Sequence, residues 1–288
     1  MYVTCYKTSN HFRTTENNSS NYQLVTNKNS WLYFTLFRTA IMLQIFVCGA
    51  QGVGKTTLIN TFLQRCKYNN GIVTKSAKQI VINEETATII QEIARTILKE
   101  HGLTTGLQLR QNKDLMWQLQ KWIIKKQIQK EAQSNKTIVI SDRSILDPMV
   151  YGLQICKDRF DSTMYEAFMK DGNSDALDDE VRCAKFSDWF FPPFVDDSQE
   201  MSQIVASIER CRKSVFILIS PRPDQLRRNE KDAQRYPMVM EELQEYTTIY
   251  KKVLHQLRIP FRNVFVPDLQ ERINEFESTL ICLLYTSP

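Results

Sequence analysis

Residues 43 to 58, Leu-Gln-Ile-Phe-Val-Cys-Gly-Ala-Gln-Gly-Val-Gly-Lys-Thr-Thr-Leu, set an apolar run directly before Gly-x-x-x-x-Gly-Lys-Thr at Gly49, Gly54, Lys55 and Thr56. Few stretches restrict a chain so tightly, because this one calls for a buried strand, an anion-wrapping loop and a helix in that order. Gly49, Gly52 and Gly54 can take positive φ and carry no Cβ. The backbone N–H groups from Gly49 through Ala50, Gln51, Val53 and on to Thr57 can therefore converge on a polyphosphate. The helix that follows turns its positive N-terminal end toward the same anion. Lys55 then reaches the β- and γ-phosphates, and the Thr56 hydroxyl takes a place on Mg²⁺. A chance match in a chain of this length has a probability on the order of 1%. The strand at Leu43 to Cys48 and the helix start at Thr57 to Gln64 supply the setting the motif requires.

The remainder of the chain alternates strand and helix. Thr86 to Ile90, Thr137 to Ser141, Ser214 to Ser220 and Phe261 to Val266 read as further strands, with helical stretches between them. That alternation predicts an α/β, three-layer fold with a parallel five-stranded sheet covered by helices on both faces. The triplet Ile80 to Ile82 is left between strand and helix. An apolar share of 42% in 288 residues suffices for one large core. One domain is expected over 42–278, with an acidic insertion near 158–200. Residues 1–41, rich in Asn, Ser and Thr, are expected to be a disordered or non-native leader, and residues 279–288 a tail without a role.

Charge and cysteine usage narrow the function classes. A net charge of +5 suits a polyanionic ligand but is too small to argue for nucleic acid. No apolar run approaches the length of a membrane span. Seven cysteines without a Cys-x-x-Cys pair read as free thiols in a reducing compartment, hence a cytoplasmic protein, or a mitochondrial one if the leader is native.

Two strand ends carry charges. Glu92 closes the strand at Thr86 to Ile90, where ligands bind in open α/β sheets, and Arg95 follows it at i+3, which also suits an exposed ion pair. Asp142 and Arg143 follow the strand at Thr137 to Ser141. A carboxylate there can hold Mg²⁺ directly or through water, and Arg143 can face the phosphates or an anionic acceptor. The helix over Leu115 to Gln133 is expected to turn Leu115, Leu119, Trp122, Ile123 and Ile128 inward and Lys121, Lys125, Lys126 and Lys130 to solvent. The aromatic run Trp189 to Phe194 either packs the acidic segment down or covers the substrate side. Arg227, Arg228 and Arg235 lie where a lid would close over a nucleotide.

Together, Gly49 to Thr57, Glu92-x-Ala94-Arg95-Thr96, Asp142-Arg143-Ser144-x-x-Asp147-Pro148-x-x-Tyr151 and Arg235 resemble the P-loop AAA-type domains grouped with the ribosylnicotinamide kinase half of bacterial NadR, especially stand-alone eukaryotic members. The resemblance covers roughly Leu43 to Phe276. It implies a P-loop NTPase fold of the nucleoside- and nucleotide-kinase type, ATP with Mg²⁺, and phosphoryl transfer to a small acceptor. Lys55, Thr56, Asp142, Arg143 and Arg235 would then serve nucleotide, metal and catalysis, and Glu92, Arg95 and Tyr151 the acceptor. The segment Lys231 to Arg235 lacks the glycine associated with this part of the family. A nucleotide-dependent switch, binding ATP or GTP without a small-molecule acceptor, is the competing expectation.

Overall fold

A computed structural model describes residues 43–286, apart from 69–71, 74–78, 81–86, 104–108, 110, 135, 137, 171–178, 223–237 and 267. In chain order the elements are β1 (Leu43–Cys48), α1 (Lys55–Tyr68), β2 (Ile72–Val73), β3 (Gln79–Ile80), β4 (Ala87–Ile90), α2 (Ile93–Glu100) and α3 (Lys113–Gln133). There follow β5 (Ile138–Asp142), α4 (Leu146–Ile155), α5 (Ser162–Lys170), α6 (Asp179–Phe190), α7 (Ser198–Arg212), β6 (Val215–Ile219), α8 (Met240–Gln256), β7 (Phe261–Val264) and α9 (Leu269–Thr286).

Five strands form one sheet in the order β4-β5-β1-β6-β7, every pairing parallel, while β2 and β3 make a short antiparallel pair. The composition of each strand matches its place. The inner strands β5 and β6 are buried throughout and read Ile-Val-Ile-Ser-Asp and Val-Phe-Ile-Leu-Ile. The outer strand β7, Phe-Arg-Asn-Val, keeps two polar residues exposed. A strand covered on both faces has no use for alternation, whereas one at the rim does. Along β5, Ile138 and Ile140 join the main core while Val139 joins a second cluster with Ile93, Ile97, Leu119 and Ile123 of α2 and α3. Successive side chains of one strand thus feed two opposite layers of helices, and the expected three-layer arrangement is present.

Register positions the site. Val47 of β1 lies beside Asp142 of β5, so the loop after β1 and the charged turn after β5 leave the sheet side by side. These are carboxyl ends of neighbouring strands, the place where open parallel sheets hold ligands.

Several expectations are corrected. α3 buries Met116, Gln120, Lys121, Ile124, Gln127 and Glu131 in addition to Leu119 and Ile123, whereas Leu115, Trp122 and Ile128 are half-buried. Lys121 is withdrawn from solvent because Asp196 pairs with its ammonium. The segment after α4 is largely helical, and Phe186, Phe190, Phe191 and Phe194 enter the main core with Phe160 and Phe168. Its aromatic residues therefore pack the segment down. β5 extends one residue further than its apolar run, to Asp142. α9 continues past residue 278 to Thr286. Of the triplet at 80–82, Ile80 lies in β3 and the other two fall outside the described residues, as does the expected leader. Cys48, Cys66, Cys156, Cys183 and Cys211 are free and buried. Among the described residues no helix is long and apolar enough to cross a membrane.

Candidate active site

The loop between β1 and α1 departs from ordinary backbone at all three glycines, with φ of +136° at Gly49, +81° at Gly52 and +89° at Gly54. Gly49 is also sterically required, since a Cβ there would lie 2.5 Å from the carbonyl oxygen of Ile219 at the end of β6. Helix α1 begins at once, the Leu58 amide donating to Gly54 O at 2.9 Å. Lys55 is buried at the helix start, and its Nζ donates to the carbonyls of Gly49 (2.9 Å) and Ala50 (2.7 Å). Burial lowers its ammonium to about 8, the Arg143 charge acting the same way and Asp142, Asp147 and Glu92 opposing it. From α9, Arg272 donates to Val53 O (3.0 Å) and Val266 O (2.6 Å), which ties the loop's crest to the strand end of β7.

The two residues expected to hold metal stand together. Thr56 Oγ1 donates to Asp142 Oδ2, and Asp142 Oδ1 is buried with no hydrogen-bond partner. Burial raises the Asp142 carboxyl above its ordinary value, while Lys55, Arg143 and the Thr56 hydroxyl hold back part of the rise. A buried carboxylate oxygen left unsatisfied beside a hydroxyl is the donor set a hard cation uses. Mg²⁺ takes one or two protein oxygens and completes its octahedron with waters and phosphates. Thr56 and Asp142 therefore fit the ion. Among the described residues, no group of three or more His, Cys, Asp or Glu is placed to hold a metal ion.

Arg143 occupies the centre. Its φ of +95° is a conformation an L side chain adopts only when its surroundings impose it, and here its N–H is held by Val47 O at 3.1 Å. The guanidinium reaches Glu92 Oε1 through Nη2 at 2.7 Å and Nε at 3.1 Å, Asp147 Oδ1 at 3.4 Å and Gly49 O at 3.5 Å. Burial alone would raise the Glu92 carboxyl. The positive charges of Arg143 and Lys55, the hydrogen bonds from Arg143 and the charge of Arg95 outweigh it and hold the group at about 2. Arg95 stays at the rim, 48% exposed, with Nε 3.2 Å from Glu92 Oε2. The Glu92–Arg95 pair exists, but the stronger partner of Glu92 is Arg143, which is why Glu92 is mostly buried.

Tyr151 supports the loop directly, its hydroxyl accepting from the Gln51 amide at 2.7 Å while its ring lies 5.7 Å from the Arg143 guanidinium. Arg235, with Arg227 and Arg228, falls outside the described residues.

Asp147, which enters the sequence analysis only as part of the resembling motif and without a role, holds the site together. It is fully buried and accepts from the Gly49 amide (3.4 Å), the Ser144 amide (2.8 Å), and the hydroxyls of Tyr246 (3.2 Å) and Tyr250 (3.0 Å). It thereby joins the phosphate loop, the Arg143 turn and α8. The available signal was the helix Leu-Asp-Pro-Met-Val-Tyr-Gly-Leu-Gln-Ile, whose apolar character leaves no outward face for its lone acid. Beside this group a narrow cleft of about 70 Å³ opens, with Gln51, Glu92, Arg143 and Tyr151 at its polar end and apolar walls including Leu98 and Leu119.

A family model described as AAA domain matches residues 44–272. Solved structures similar to the chain include deoxyadenosine kinase from M. mycoides with bound dATP, at 14% identity and a TM-score of 0.46, covering 83% of this chain and 99% of that one. The same enzyme with bound dCTP gives a TM-score of 0.47 at 14% identity, covering 83% and 98%. Shikimate kinase from Bacteroides thetaiotaomicron gives 0.37 at 14% identity, covering 83% and 98%. No curated protein sequence matches the chain.

Proposed function

The chain belongs to the AAA domain family, and from that premise we propose that it is an ATP- and Mg²⁺-dependent kinase acting on a small, hydroxyl-bearing acceptor of nucleoside type, as its resemblance to ribosylnicotinamide kinase domains suggests. The observation that carries this reading is the Glu92–Arg143 pair standing between the phosphate loop and the apolar-walled cleft. A hydrolase or switch needs a phosphate site alone. A second concave space, with charged groups at its phosphate end and apolar sides, marks where a second substrate would enter, and at about 70 Å³ it would have to widen toward the roughly 300 Å³ of ordinary ligand sites to admit a nucleoside.

Phosphoryl transfer asks a protein chiefly to position and to neutralise charge. The loop amides of Gly49 to Thr57 and the Lys55 ammonium would bind the phosphates, the ammonium exchanging loop carbonyls for phosphate oxygens. Thr56 and Asp142 would hold Mg²⁺, which when bound offsets charge on the phosphates. Arg143 would face the transferring group from the opposite side. Glu92, ionised throughout the neutral range, would accept a hydrogen bond from the acceptor hydroxyl and aim its oxygen at phosphorus.

The test is a screen of nucleosides, nicotinamide riboside first, and of nucleotides for acceptor-dependent ADP release at saturating ATP and Mg²⁺. One acceptor class is expected to raise turnover well above background, and Glu92→Gln to lower it by roughly 10² to 10⁴, the range for a positioned acid or base. If no acceptor raises turnover while ATP or GTP alters protease sensitivity, the protein is a switch and the proposal is wrong.

A further inference from the structure

Away from the cleft, between α3 and α7, three polar side chains are sealed in the interior. Gln127 and Glu131 of α3 are 1% and 2% exposed, and Ser207 of α7 is fully buried. Ser207 Oγ donates to Glu131 Oε2 at 3.1 Å, and Gln127 Nε2 donates to Glu131 Oε1 at 2.8 Å. The same Nε2 reaches Ser141 Oγ at 3.0 Å and the carbonyl oxygen of Arg143 at 3.4 Å. None of these groups touches the cleft, and a carboxyl buried here is a cost to the fold that leucine would avoid.

We propose that Gln127 and Glu131 are positioning residues for Arg143, fixing its left-handed backbone from behind so that its guanidinium stays between Glu92, Asp147 and the phosphate loop. A φ of +95° at a non-glycine residue persists only if the peptides on both sides are held. The Arg143 N–H is held by Val47, and Gln127 holds its carbonyl. Glu131 gives that amide its orientation, because a carboxyl oxygen accepts from the NH₂ end and so commits the second hydrogen to Ser141 and Arg143. Two groups of α7 beside Ser207 also face the Glu131 carboxyl: Arg210, whose Nη2 is 3.9 Å away, and the buried Cys211 thiol. Burial pushes Glu131 up to about 7, against the hydrogen bonds of Gln127 and Ser207 and the Arg210 charge. The acceptor strength of the relay therefore changes close to neutral pH, the ionised form holding Gln127 more firmly.

This inference rests on the ATP·Mg²⁺ reading only for its binding arm, so two readouts are needed on the full chain. The first is the ATP·Mg²⁺ dissociation constant by calorimetry for wild type, Gln127→Leu, Arg143→Ala and the double variant. Gln127→Leu is expected to weaken binding about fivefold, the worth of one neutral hydrogen bond, and to have no further effect once Arg143 is alanine. The second is the Arg143 Nε–H resonance by NMR, assigned by its loss in Arg143→Ala. It is expected to show the protected, downfield character of a bond to Glu92 in wild type and to lose it in Gln127→Leu and Glu131→Leu. Glu131→Gln, which keeps an accepting oxygen, should restore the signal but abolish its pH dependence around neutrality. Wild type that fails to bind ATP while the resonance behaves as described would sink the nucleotide reading and leave the positioning role standing. An unchanged resonance in Gln127→Leu and Glu131→Leu, equal losses of affinity in both Arg143 backgrounds, or one pH profile for wild type and Glu131→Gln would overturn the positioning role.

Discussion

Replacing Glu92 by Gln keeps the side chain's shape and removes its charge opposite Arg143, whose side chain is 9% exposed against 17% for Glu92. The pair is 2.7 Å apart, and the Glu92 carboxyl is held at about 2 instead of 4.5 because the charges of Arg143 and Lys55 overcome the opposing effect of burial. At about 1.4 kcal/mol per tenfold in proton affinity, that difference is worth about 3 kcal/mol. Its sign follows from the direction. A carboxyl whose folded value lies below its unfolded value contributes stability that is complete above about 4.5 and is lost as pH falls toward about 2. Glu92→Gln is therefore expected to be less stable than wild type by about 2 to 3 kcal/mol at neutral pH, Asp147 still compensating part of the Arg143 charge. The gap should close as the medium is acidified through that window. Urea unfolding of both proteins at a series of pH values measures it. A loss below about 1 kcal/mol that does not change with pH is what an exposed ion pair gives, and would return Glu92 to a surface partnership with Arg95.

Four further outcomes follow from the same geometry. Lys55→Ala should cost several kcal/mol of ATP affinity, since charge-assisted bonds contribute about 1.5 to 3 each, while unchanged calorimetric affinity in a folded variant would refute the phosphate role. Because the free ammonium titrates near about 8, wild-type affinity should also weaken as pH rises through that value, a dependence absent from the variant. Asp142→Asn should alter the Mg²⁺ dependence of nucleotide binding, as a hard cation loses a charged oxygen, and identical Mg²⁺ titrations would remove Asp142 from the metal site. Gly49→Ala sets a Cβ 2.5 Å from the Ile219 carbonyl at a φ of +136°, so stability should fall by about 2 to 4 kcal/mol in a denaturant midpoint measurement; a change within about 0.5 kcal/mol would mean the loop start is not pinned to β6.

What could be read in advance was whatever depends on local sequence. The strand, loop and helix around Gly49 to Thr57 follow from apolar runs and glycine placement, and Asp142 at the end of β5 follows from one strand's length. What escaped depends on partners far along the chain. Glu92 looks like half of a surface pair because Arg95 is three residues away, yet it is buried by Arg143, 51 residues distant. Asp147 gains its importance from Tyr246 and Tyr250, about a hundred positions later. On α3, Lys121, Gln127 and Glu131 were legible only as polar positions, because periodicity reports which face is apolar and says nothing of polar groups that find partners inside.

In the proposed reaction, the γ-phosphoryl group of ATP moves to a hydroxyl bound in the cleft beside Glu92 and Arg143. Phosphorus NMR of the protein with ATP, Mg²⁺ and the acceptor found by screening follows that group directly. A phosphomonoester resonance growing in step with ADP is expected; inorganic phosphate growing in its place, at a rate the acceptor does not change, would contradict transfer to a bound hydroxyl.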